Sequence, residues 1–129
     1  MEPIQIDFLG IPVSFFIATV VLYPFVETIL FHGFVGKAVE RLCWGNALLT
    51  SAIMWAGFSL MHGINKGWGS IIPVGFGGAI PITFMFYYLL KQKKDWGTIL
   101  FWTFLCHVVW NFVIYAKLCL ILIFDKPLP

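Results

Sequence analysis

Between Phe8 and Tyr115 the chain carries charge in only three places, Lys37 to Arg41, Lys66 and Lys91 to Asp95, apart from a single acid, Glu27, standing by itself. The stretches between are apolar for most of a bilayer's thickness, and about 20 residues of helix cross the hydrocarbon core. They run roughly Phe8 to Tyr23, Phe25 to Leu42, Asn46 to Gly63, Ser70 to Leu90 and Thr98 to Tyr115. Water is a poor solvent for such a surface: the 129 residues are 60% hydrophobic and only 11% charged, where a soluble domain is about a quarter charged. A soluble core of this size has no room for so many large side chains. The expected fold is therefore an all-α integral membrane protein, a single transmembrane helical domain over 1–129 built as a bundle of about five helices.

Pro24 decides the count. Proline kinks a helix or opens one at its first turn, and a single run from Phe8 to Val35 looks too long for one crossing, so Pro24 is read as opening a second helix. The apolar stretch Leu118 to Phe124 is too short to cross alone and either extends the fifth helix or lies along the interface. Strict alternation places the basic clusters after the second and fourth segments on one face. The positive-inside rule makes that face cytoplasmic, and with it the N-terminus, in a plasma or inner membrane. Trp44, Trp68 and Trp96 fall at segment ends, as interfacial aromatics do.

No Lys or Arg precedes the first apolar run, and Glu2 and Asp7 stand where a secretory signal carries positive charge, so this run reads as a retained membrane helix. The formal net charge of +2 is too small and scattered for a nucleic-acid footprint. Cys43, Cys106 and Cys119 lack metal-ligand spacing and read as buried free thiols. Gly75, Gly77 and Gly78, between Pro73 and Pro81, mark the least regular segment, their small size suited to close helix packing. There is no internal repeat, low-complexity tract or linker.

Glu27, in PFVETILF, is the one carboxylate inside an apolar run. Such a group is costly in lipid and normally faces a cavity or a partner; the plainer reading is a helix N-terminal acid just after Pro24, favoured by the helix dipole. Three histidines also lie in apolar sequence, His32 in ILFHGF, His62 in FSLMHG and His107 in FLCHVVWN. His107 and Asn111 are four apart and share a helical face. At 1.5 Å per residue, Glu27 lies roughly 21 Å above Arg41, His62 about 27 Å above Trp44, His107 about 18 Å and Asn111 about 24 Å above Asp95. These four fall in one slab. His32, about 14 Å above Arg41 by the same arithmetic, ranks below them.

The segments ETILFHG, FSLMH and HVVWN resemble the three motifs EExxxRG, FxxxH and HxxxN of the CAAX-protease and bacteriocin-processing family of intramembrane endopeptidases. The likeness runs from about Pro24 to Tyr115 and includes the glycine-rich helix and basic turn before the third motif. It implies that Glu27 and His62 activate a water for attack on a peptide bond, while His107 and Asn111 stabilise the oxyanion. A carboxylate in a low-dielectric site has the raised proton affinity a general base needs, and donors aimed at an oxyanion gain strength where water is excluded. Glu27, His62 and His107 also form a donor set that zinc accepts with a position open, so a divalent metal stays open as a cofactor. Thr28 stands at the family's second glutamate and His32 at its arginine, while Phe58 opens the second motif.

The resemblance implies lipid and a peptide or protein substrate as partners, with a membrane-protein partner or oligomer left open. A second reading is a catalytically silent scaffold, immunity or partner-binding member, which the changes at Thr28 and His32 favour. A third is a proton or ion carrier, since intramembrane Glu and His mark such paths, although the absence of repeated halves counts against it.

Overall fold

The computed structural model describes residues 7–8, 11–70, 72 and 76–124. After a two-residue ladder, β1 (Asp7–Phe8) against β2 (Ile11–Pro12), the described residues form four long helices: α1 (Val13–Leu42), α2 (Ala47–Lys66), α3 (Gly78–Lys91) and α4 (Trp96–Phe124). The chain is an all-α membrane protein. α1, α2 and α4 are each long and apolar enough to cross a bilayer.

The expected break at Pro24 does not occur, so the described residues hold four helices where the sequence suggested about five. Leu22, Glu27 and Thr28, on both sides of the proline, keep right-handed helical dihedrals. Instead of ending, the helix widens. Ala18–Leu22 and Thr28–Val35 are π-helical, and the Tyr23 N–H donates to Ala18 O, five residues back. Proline lacks an N–H and its ring collides with the carbonyl four residues earlier; a local π adjustment relieves both in a membrane helix. The 30 residues of α1 reach about 45 Å at α-helical rise, close to a bilayer's full thickness of about 40–45 Å with headgroups. Only one crossing precedes Lys37 and Arg41, which removes the alternation that put the N-terminus on their side. Val13 stands at the opposite end of α1 from them.

The turns at the basic end are set by local chemistry. Trp44 and Gly45 take left-handed backbone, φ 50° and 73°, while the Cys43 and Gly45 N–H groups return to Val39 O and Glu40 O. Asn46 then caps α2 by accepting the Leu49 N–H at 3.0 Å. Asp95 caps α4, its two carboxylate oxygens accepting the Thr98 N–H at 2.9 Å and hydroxyl at 2.6 Å. α4 continues through 118–124, so the last apolar stretch extends that helix. Of the Gly/Pro segment, Pro73 and Gly75 lie outside the described residues; Gly78 begins α3.

α1 and α4 run antiparallel. Lys37 lies over the Trp96 ring, the Gly33 backbone meets Leu100, and Phe16 packs on Tyr115 with ring centres 4.7 Å apart. Near the basic end Met54, Phe86, Leu89, Leu90 and Ile99 form a buried cluster. Gly36 lets it close on α1, because a Cβ there would sit 3.1 Å from the Phe86 ring. Phe34, Phe84, Phe101, Val109 and Phe112 face outward, as expected where lipid is the solvent. The three cysteines are free, Cys43 and Cys119 buried and Cys106 half-buried.

Candidate active site

Glu27 sits at the seam where α1 changes from α- to π-helical winding. It lies mid-helix, so the plainer reading of it as a helix N-terminal acid falls with the missing break at Pro24. Its Oε2 is 3.5 Å from Nε2 of His107 on α4, the imidazole 4% exposed and the carboxylate side chain 32%. The carboxylate therefore keeps one face on an imidazole and another open at the molecular surface. An incoming group can reach it.

Phe58 stands at the centre of the remaining polar groups. Its ring centre lies 4.4 Å from that of His62, 5.9 Å from His107 and 5.9 Å from His32. Its own backbone carbonyl, 3.0 Å from His62 Nδ1, only accepts, so that nitrogen carries a proton. The second motif thus works locally: the residue one turn back engages that nitrogen of the histidine.

Asn111 is held by α1. Its Nδ2 donates at 3.0 Å to the backbone carbonyl of Thr19 on α1, so one of its two N–H donors is already engaged by the helix that carries Glu27. His32 and Thr28 are each 1% exposed. His32 packs between Phe58 and Phe86, and its Nδ1, like Thr28 Oγ1 and Thr103 Oγ1, has no hydrogen-bond partner among the described residues. His32 shares Phe58 with His62 and His107. The signal was present in the spacing, because Phe31, His32 and Phe58 lie at similar distances from the turn that joins α1 to α2.

The donor set proposed for zinc does not fit. Among the described residues no group of three His, Cys, Asp or Glu side chains is gathered closely enough to hold a metal ion. A metallopeptidase reading is therefore unsupported. A groove of about 250 Å³ lies between α2 and α3, bounded by Trp55, Phe84 and Tyr87. None of Glu27, His62, His107 or Asn111 lines it.

No curated protein and no solved structure matches the chain. Among protein families, residues 9–113 match the one described as type II CAAX prenyl endopeptidase Rce1-like. The match covers well over half of the 129 residues and runs through Glu27, Phe58, His62, His107 and Asn111, so the chain belongs to the type II CAAX prenyl endopeptidase Rce1-like family.

Proposed function

We propose that this protein cleaves a peptide bond within the membrane, using Glu27 as general base with His62 and His107 beside it. The observation that carries this reading is the 3.5 Å approach of Glu27 to His107 across two helices, with Phe58 joining His107 to His62. A water oxygen attacks the carbonyl carbon as its proton passes to the Glu27 carboxylate, and the carbonyl electrons move to oxygen. His107, facing the same point, donates to that oxyanion, and His62 orients the water. Collapse breaks the C–N bond, the proton leaves Glu27 for the departing nitrogen, and the products are a carboxylic acid and an amine. Acid–base steps of this kind typically contribute about 10²–10⁴-fold.

The family's description makes a prenylated C-terminal peptide the first substrate to test. The basic turns Lys37–Arg41 and Lys91–Asp95 face the cytoplasm by the positive-inside rule. With α1 crossing once, the Val13 end then lies on the far side. Purified protein and E27Q in lipid nanodiscs, incubated with prenylated and unmodified peptides and read by mass spectrometry, test the assignment. Loss of at least about 10²-fold in E27Q is expected. Equal turnover by both proteins refutes the peptidase reading and leaves the partner-binding one.

A further inference from the structure

The Asn111 side chain and Pro24 solve one backbone problem together. In α1 the Tyr23 N–H is spent on Ala18 O. In that wide register the next carbonyl, Thr19 O, requires the N–H of residue 24, and residue 24 is proline, which has none. The donor that Thr19 O would meet in an ordinary α turn is Tyr23, already used. Thr19 O is thus denied a backbone donor in the low-dielectric interior, where an unmet carbonyl is costly. Asn111 Nδ2 supplies it from 92 positions away at 3.0 Å.

We infer that Asn111 is a positioning residue that acts on Glu27 through helix α1: by capping the carbonyl that Pro24 orphans, it holds the π turn that presents the carboxylate to His107. Glu27 follows Pro24 by less than a turn, so rewinding the Ala18–Leu22 turn rotates everything after it. Asn111 is also one turn from His107 on α4. The bond to Thr19 therefore ties the backbone of the helix carrying the acid to the helix carrying the imidazole. For its activity arm this inference rests on the peptidase reading above; its stability arm does not.

The test is a four-protein cycle in nanodiscs: wild type, N111A, P24A and P24A/N111A, each measured for thermal midpoint and for kcat and KM on a cleaved peptide. In P24A residue 24 regains an N–H that can reach Thr19 O, which makes the asparagine redundant. N111A should lower the midpoint by several degrees and kcat by about tenfold or more in the wild-type background. Both penalties should shrink by at least half in the P24A background, with KM little changed, and amide exchange at residue 24 of P24A/N111A should be slow. Equal midpoint penalties in the two backgrounds overturn the inference. So does a kcat penalty that persists undiminished in P24A while the midpoint recovers, since Asn111 would then act on the reacting atoms. If no peptide is cleaved by any of the four, the peptidase reading fails, and the midpoint cycle still decides whether Asn111 caps Thr19.

Discussion

Replacing Phe58 by alanine separates what lipid as solvent contributes from what packing contributes. The ring is 3% exposed and touches Phe31, His32, His62 and His107. In a soluble core Phe→Ala costs about 3–5 kcal/mol, of which about 1.5–3 kcal/mol is the return of an apolar side chain to water. In a bilayer that transfer term drops out, because the alternative surroundings are as apolar as the core. What remains is the lost contact around the cavity, about 1.5–2 kcal/mol as the difference of those two ranges. Phe58→Leu, which keeps most of the volume, should cost less. The measurement is reversible unfolding in mixed micelles followed by tryptophan fluorescence, alongside peptide cleavage. Activity should fall more than stability does, since His62 and His107 lose the wall they share, and a displacement near 1 Å is worth about 10²-fold. A cost of 4 kcal/mol or more on the same scale refutes the solvent argument. A cost indistinguishable from zero refutes the packing of the three histidines around this ring.

Two further outcomes are expected from the basic end. Asp95 is exposed, and the Thr98 hydroxyl, then the Thr98 N–H, hold its carboxyl below the ordinary 3.8. A depressed folded-state pKa means that the cap's stability is present above the unfolded value and is lost as pH falls through the folded one. The thermal midpoint of Asp95→Ala should accordingly lie below wild type at pH 6 and converge with it toward pH 2, and a constant gap across that range counts against the cap. Single cysteines replacing Ser14 and Lys94 in a cysteine-free background should label from opposite sides of sealed vesicles with an impermeant maleimide; labelling from the same side restores a two-span α1 region.

The membrane class was legible because it rests on a strong local signal, uncharged runs long enough to cross, and the polar groups proposed for the site stand out within those runs. The reading at Pro24 failed for a physical reason. A proline rule drawn from α-helical hydrogen bonding has no place for a π turn, and nothing in VVLYPFVE announces that the Tyr23 N–H will go back five residues to Ala18. One wrong joint propagated. It raised the helix count and turned Glu27 into a first-turn acid. The bond from Asn111 to Thr19 was hidden for the same reason, since its acceptor is a backbone carbonyl that lacks its usual donor only if the helix continues through the proline. By contrast, the closeness of Glu27 to His107 followed from depth alone, because antiparallel helices of known ends bring equal depths together.

The positions at which this chain departs from its family's first motif bear on whether the site is intact. Thr28 and His32 occupy the places written as glutamate and arginine, and both are enclosed at 1% exposure. Removing one member of a buried ion pair strands a charge and is costly, whereas replacing both members with groups that need not ionise strands none. The changes at Thr28 and His32 fit an exchange of the second kind and fit the catalytically silent reading equally. Glu27 keeps its approach to His107, and His32 keeps a packed place between Phe58 and Phe86. Glu27 is thereby the one carboxylate left at the first motif. In the peptidase reading proposed above, acid–base chemistry falls to one carboxylate and its imidazole neighbour, and the two departures lie behind that carboxylate while leaving it in place.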